Sequence, residues 1–362
     1  MDDSYARHAR RCGLVMAEPE TFAVRRLKRG AGHRFVGEDG RSPGRDVTAR
    51  LKALAIPPAW SQVRCSAEPR HHVLVVGTDG TGRRQYIYHP DWERVRDAVK
   101  AERLIRFGRA LPRIRATISR DLAERSTERS DGRGRRRTHS LRRVAAVAAR
   151  LVDRAAMRPG NEAYAANGHR GATTLSRDDV RIEGERIALD YVGKSGREHR
   201  FAIRDRVAAR AMRKLKQRRP ASGAARARRL FVYSDGSGTR RALTAAKLNR
   251  YIASAARQSV SAKDFRTFIG SARALEILNG HSDARAVDEK RRAVGEAVRA
   301  ASERLRNTPA VARSSYVLPS IIADFEGEGL PRSLFRGPTR RGLDRYETAL
   351  MRHLEAARKN GG

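Results

Sequence analysis

With 362 residues the chain is long enough for two or three domains, and 40% hydrophobic residues can supply their cores. Its 78 Lys and Arg stand against 40 Asp and Glu, a net charge of +38 that folding does not require and that costs self-repulsion, so a polyanionic partner is expected, nucleic acid first. Cys12 and Cys65 form no metal-ligand or redox spacing, the amino terminus lacks the apolar run of a signal peptide, and no apolar stretch reaches the roughly 20 residues of a membrane span, so the expectation is a soluble, cytoplasmic protein without membrane contact.

Residues 1–20 are mixed and read as a loose arm or short helix. Phe22 to Arg45 is rich in Gly and Arg, with Gly37-Glu38-Asp39-Gly40 as a turn between possible strands. Asp46 to Leu54 reads as a short helix with Asp46 as its N-cap, ended by Ile56-Pro57-Pro58-Ala59-Trp60. Val63 to Arg64 and His72 to Val76 read as strands, and Thr78 to Gly82 as a glycine turn. Arg83 to His89 then alternates. Arg84, Tyr86 and Tyr88 fall on one face and Arg83, Gln85 and Ile87 on the other, a pattern suited to phosphates and base edges or to an ordinary polar surface strand. From Trp92 the period becomes helical, over Asp91 to Phe107 and again over Ala110 to Glu124. Residues 126–139 are strongly basic and low in apolar content, and read as a mobile loop that touches DNA or as a solvated linker.

Leu141 to Met157 is an amphipathic helix with Val144, Val147, Ala148, Leu151 and Val152 on its inner face. It ends at Arg158-Pro159-Gly160, where an Arg either complements the helix C-terminus or reaches into a cleft. A three-stranded meander follows over Val180–Ile203, with Lys194 between Gly193 and Gly196 in its second turn. Such a Lys is ordinarily a solvated turn residue, but a hairpin tip can also be set in a DNA groove, where an ammonium can hand over a proton. Residues 204–217 form a basic helix, 218–227 a polar connection, and Leu230 to Asp235 a short extended segment. Thr244 is the expected N-cap of a helix to Ala256. Lys263 and Arg266, at i and i+3 on the next helix, share one face. Ser282 to Arg304 is a charged helix with a narrow apolar stripe, and Asn307 to Tyr316 is a short polar turn ending in a Tyr. Ile321 to Phe325 closes this region, and the basic segment after Gly327, with a helix over Leu343 to Ala357, reads as an appendage.

Arg158, Lys194, Lys263 with Arg266, and Asn307 with Tyr316, in that order, give a resemblance. The chain resembles type IB DNA topoisomerases, in the short poxvirus-like form found in bacteria. The matching motifs are Ile56 to Trp60, Gly82 to His89, Phe107-Gly108 with Leu111 to Arg115, Arg158 to Tyr164, Gly171 to Leu175, Gly193 to Gly196, Ala262 to Thr267, and Asn307 to Val311 through Tyr316. They extend over about residues 25–325; segment 126–139, the stretch around His281 and the tail after 326 look like additions to the family core.

The resemblance implies an α+β, multidomain fold: a small β-rich N-terminal domain (1–92, with 1–20 a loose arm), a mainly α-helical catalytic domain with a three-stranded antiparallel sheet (93–326), and a basic C-terminal tail (327–362). It implies a C-shaped clamp on double-stranded DNA, acting as a monomer and relaxing supercoils without ATP, cofactor or metal. By the same resemblance Tyr316 is the nucleophile that forms a 3′-phosphotyrosyl bond, Arg158 and Arg266 clamp the phosphate, and Lys194 is the acid for the 5′ oxygen. Arg83, Gln85, Tyr86, Tyr88, Tyr164 and Lys263 are the expected DNA contacts. Asn307 stands where the poxvirus-type pattern has His; it can donate a hydrogen bond but carries no proton charge. A tyrosine recombinase shares the Arg, Lys, Arg, Tyr order but usually shows His-x-x-Arg where this chain has Lys263-Asp-Phe-Arg266. A non-catalytic DNA-compacting protein would use the charge alone and gives no reason for the ordered motifs.

Overall fold

A computed structural model of the chain describes residues 3–30, 32–123, 127–131, 134–217 and 228–360. It has two compact units, Met1–Ala101 and Glu102–Gly362.

The first unit begins with α1 (Asp3–Arg11), followed by β1 (Val24–Arg29), β2 (Gly32–Val36), α2 (Arg45–Ala53), β3 (Ser61–Cys65), β4 (Val73–Thr78) and β5 (Arg84–Tyr88). The strands pair antiparallel in the order β2-β1-β3-β4-β5. Residues 1–20 are not simply a loose arm: Ala9 of α1 is buried with Leu14, Trp92 and Val95. The sheet's core, with Val24, Val63, Cys65, Leu74 and Val75, closes over Leu51 of α2. The N-cap of α2 is Gly44 at φ 99°, not Asp46. That left-handed backbone favours glycine, while Asp46 in the first turn still opposes the helix dipole favourably. On β5 the two-residue period holds: Tyr86 and Tyr88 are exposed, and Ile87 packs on the core.

The helix α3 (Trp92–Ala123) runs across the boundary between the units as one element, where the sequence suggests two. Gly108 and Pro112 lie inside it and are poor helix formers. Packing overrides them: a Cβ on Gly108 would lie 2.9 Å from Phe268 Cε2 and collide with Met351, so the glycine permits a close helix approach.

The second unit continues with β6 (Thr127–Asp131), β7 (Gly134–Thr138), α4 (Leu141–Ala155), α5 (Glu162–Ala166), β8 (Val180–Glu183), β9 (Arg186–Val192), β10 (Glu198–Arg204) and α6 (Arg206–Lys216). After these come β11 (Val232–Ser234), β12 (Arg240–Ala242), α7 (Ala245–Ala256), α8 (Ala262–Gly280), α9 (Val287–Leu305), α10 (Pro309–Ser315), α11 (Pro319–Glu326) and α12 (Arg345–Asn360). The basic stretch read as a loop carries the antiparallel pair β6–β7, although its residues 126, 132 and 133, like the polar connection at 218–227, lie outside the described residues. The meander β10-β9-β8 is the expected three-stranded antiparallel sheet.

Short polar side chains start the helices, at Thr244 as expected and at three further positions, one of them opening α10 in the stretch read as a turn. Ser140, Asp205, Thr244 and Thr308 each accept a backbone N–H from the first turn of α4, α6, α7 and α10. Ser261 and Asp264 form a capping box on α8, and Arg103 of α3 grips Asp264 at 2.5 and 2.9 Å. The apolar face of α4 (Val144, Val147, Ala148, Leu151, Val152) is fully buried. The carboxy-terminal tail is no appendage. Ala349, Leu350, Met351 and Leu354 of α12 are buried, and α12 packs on α8. Arg115 ties α3, α4 and α12 together, contacting Glu347 at 2.7 Å and Asp153 at 2.9 Å.

Candidate active site

The site is built where α4 ends. Its last carbonyls have no partner within the helix, and three arginines from later in the chain supply one. Arg304 donates to Arg154 O at 2.8 Å, Arg306 to Ala155 O at 2.6 Å, and Arg266 to Ala156 O. Ala156 turns the chain in the left-handed conformation (φ 51°) and delivers Arg158. The motif at 171–174 folds back on it: Ala172 N–H donates to Arg158 O, and Thr173 N–H and Oγ1 both reach Pro159 O, each at 2.8 Å. A Cβ on Gly171 would lie 2.6 Å from Gly160 Cα. The two motifs therefore interlock, and each needs its glycine for the backbones to meet.

Arg266 comes from the first turns of α8 and is 3% exposed. Lys263, one turn earlier, is exposed. The i, i+3 pairing made them sharers of one face; burial separates them, with Arg266 turned into the protein and Lys263 left to solvent. Asn307 follows α9. Its Oδ1 accepts from Arg158 Nη2 at 2.5 Å and from Arg266 Nη2 at 3.2 Å. Guanidinium has no acceptor, so this fixes the amide orientation, and the buried Nδ2 of Asn307 has no hydrogen-bond partner. Tyr316 caps the C-terminus of α10, with the Arg266 guanidinium 4.8 Å from its ring centre. Its backbone is held by Ser271 of α8: Oγ donates to Tyr316 O at 3.1 Å and accepts from Leu318 N–H at 3.2 Å. Gly270 allows that approach, since a Cβ there would lie 3.0 Å from Tyr316 O.

Lys194 lies in a single 3-10 turn (Lys194–Gly196) between β9 and β10, with Ser195 at φ 65° and Gly196 at φ 71°. It lines the same pocket as Arg158 and Arg266. The structure thus brings Arg158, Arg266, Asn307 and Tyr316 into one cluster with Lys194 at the same cleft. Tyr164 is exposed on α5. Arg83, Gln85, Tyr86 and Tyr88 belong to β5 of the first unit and the turn before it. Gln85 is engaged there: its Nε2 donates to Asp79 Oδ2 at 2.7 Å. Arg84 pairs with Glu20.

Electrostatics follow from the cation density. Burial raises the Tyr316 phenol, but Arg266 and then Arg158 outweigh it, so it lies below an ordinary tyrosine. Burial lowers Arg266. Burial, then Arg306 and Arg158, hold the His199 imidazole down to about 4, so it is neutral at pH 7. Sequence reading missed four pocket residues, Arg170, Tyr191, His199 and Arg306. Tyr191 and His199 are register partners on β9 and β10, which the meander's turns could have paired. For Arg306 the only signal was its adjacency to Asn307. Among the described residues no His, Cys, Asp and Glu are grouped to hold a metal ion, and no helix is long and apolar enough to cross a membrane.

Residues 89–321, well over half of the chain and including every member of this cluster, match the model of the eukaryotic DNA topoisomerase I catalytic core. The chain belongs to the type IB DNA topoisomerase family. Residues 32–79 also match the N-terminal domain of bacterial DNA topoisomerase IB. DNA topoisomerase 1B of Acanthamoeba polyphaga mimivirus is 26% identical over 277 residues, 74% of this chain and 77% of that protein. This type I topoisomerase is an isomerase that acts on DNA, with an antiparallel sheet in its first unit and a mostly helical second unit.

Proposed function

We propose that this topoisomerase relaxes supercoiled double-stranded DNA by cutting one strand through a 3′-phosphotyrosyl bond on Tyr316. The observation that carries this reading is the meeting of Arg266 and Arg158 at the Tyr316 phenol, with Asn307 bound to both guanidiniums. Tyr316 Oη attacks the phosphorus, the bond to the 5′ oxygen breaks, and that oxygen takes a proton from Lys194 while the phenol proton passes to solvent. Religation runs the same steps backward. One phosphoester replaces another, so the bond energy is kept and no ATP is needed.

The transition state spreads negative charge over the non-bridging oxygens, and fixed donors lower its energy. Arg158 and Arg266 supply two positive forks. Asn307, its oxygen held by both, offers its free N–H as a neutral donor. The lowered phenol keeps more of the nucleophile ionised near neutral pH than a free tyrosine would. We assign Arg83, Gln85, Tyr86 and Tyr88 in the 1–92 domain, and Tyr164 and Lys263 in the 93–326 domain, to DNA contact by a monomer working at the nucleoid. The net charge of +38 supports this. The test is relaxation of a supercoiled plasmid in EDTA without ATP: wild type relaxes it and Tyr316→Phe does not. A mobility shift without relaxation would indicate a packaging protein, and joining between paired sites a recombinase.

A further inference from the structure

The pocket that holds Arg158, Lys194 and Arg266 contains another guanidinium, that of Arg306. We propose that Arg306 is a third phosphate-binding arginine of the active site, contacting a non-bridging oxygen of the cleaved strand at or next to the scissile phosphate. This rests on the reading of the pocket as the DNA cleavage site.

Three observations carry it. The first is backbone position. Arg306 follows α9 at φ 54° and ψ 52°, its N–H bonded to Ser302 O and Glu303 O, and Asn307 N–H returns to Ser302 O. That is the left-handed helix stop where glycine is the usual residue, because a Cβ is disfavoured there. The chain keeps a large side chain in a place that asks for none.

The second is charge. Arg306 is largely buried, and no carboxylate among the described residues pairs with it. Burial brings its guanidinium down to about 10. Two other arginines of this unit show the contrast. Arg115 is surrounded by Asp153 and Glu347, and these carboxylates hold its proton despite burial. Arg266 pairs with no carboxylate among the described residues; its donors go to Ala156 O, Leu305 O and Asn307 Oδ1, and burial lowers it. Arg306 is like Arg266. A desolvated cation without an anion is costly, and in a pocket shared with Arg158, Lys194 and Arg266 it fits a site that receives its anion from outside.

The third is rigidity. The Arg306 guanidinium carbon stands 3.3 Å from the Phe201 ring centre, and its Nη1 is bound to Ala155 O. A planar fork held on one side by a ring and a carbonyl is preorganised for an oxyanion. The cap on Ala155 O engages Nη1, one part of a guanidinium that carries five N–H donors.

The test uses full-length protein and single-turnover cleavage of short duplexes. Each duplex carries one methylphosphonate, which removes the charge of one phosphate, at the scissile position or at either neighbour. Arg306→Gly suits the left-handed backbone, and thermal melting verifies that it folds; Arg306→Lys keeps the charge and serves if the glycine variant does not. On unmodified DNA we expect Arg306→Gly to cleave about 100-fold slower and Arg306→Lys to fall between it and wild type. For either variant the defect should vanish on the one duplex whose methylphosphonate replaces the contacted phosphate. Equal defects on every duplex, or a wild-type rate on unmodified DNA, would overturn the proposal. Failure of wild type to form any adduct would instead overturn the underlying reading, whatever Arg306→Gly does.

Discussion

Ser271 offers a test of how the nucleophile is held. It is fully buried, and its hydroxyl bridges two backbone groups on either side of Val317: it donates to Tyr316 O at 3.1 Å and accepts from Leu318 N–H at 3.2 Å. Ser271→Ala removes one oxygen and adds no volume, so the perturbation is the lost bridge. Two buried backbone groups then lack a partner. At about 1–3 kcal/mol for each unsatisfied group, partly relieved by relaxation, a stability loss of roughly 2–4 kcal/mol is expected. The catalytic loss should be larger than stability alone implies. A nucleophile freed by about 1 Å commonly costs on the order of 100-fold. The assay is single-turnover cleavage at saturating DNA, at a temperature where melting shows the variant folded. Cleavage should slow by roughly 100-fold with DNA affinity unchanged, since Ser271 is sealed from DNA. A cleavage rate within about twofold of wild type in a protein destabilised as calculated would refute the positioning role.

Four further outcomes follow from the geometry. Asn307→Ala should slow cleavage because it removes the donor, and Asn307→Asp should be slower still, by more than about tenfold, because its carboxylate would pair with Arg158 and Arg266 and neutralise them; a wild-type rate for Asn307→Ala would remove the donor role. Lys194→Ala should slow cleavage of ordinary DNA and recover when the 5′ leaving group is made more acidic; no recovery would dismiss Lys194 as the acid. Glu347→Ala should cost about 3 kcal/mol in denaturant unfolding, because Arg115 loses a buried partner, and a neutral result would return the tail to the status of an appendage. His199 is held to about 4, below the unfolded value near 6.5, so the unfolded chain binds the extra proton between these values. Its contribution is therefore intact above about pH 6.5 and lost as pH falls toward 4, by about 1–3 kcal/mol, and His199→Phe should flatten that part of the stability profile.

Local chemistry made much of this architecture legible. The meander around Lys194 is written in its turns, Glu183-Gly184-Glu185 and Gly193 to Gly196, and the start of α7 in Thr244, whereas α10 reads as a polar turn because it is only seven residues long. The order of Arg158, Lys194, Arg266, Asn307 and Tyr316 pointed to residues that the fold gathers at one cleft. What escaped the sequence depends on partners distant along the chain. Gly108 and Pro112 look like breakers of α3 until Phe268 and Met351 fill the space above the glycine. The tail looks solvated until Glu347 finds Arg115. Lys263 and Arg266 look alike in a helix register, and only tertiary burial separates them. Arg306 is one more arginine among many until the fold sets it in one pocket with Arg158, Lys194 and Arg266.

The most direct test of the account is mass spectrometry of the protein after incubation, in EDTA, with a nicked duplex whose short leaving fragment, ending in the free 5′-hydroxyl, escapes on cleavage. A peptide carrying the DNA 3′ phosphate on Tyr316 is predicted, with none formed by Tyr316→Phe. An adduct on any other residue, or a covalent complex that persists in Tyr316→Phe, would contradict it.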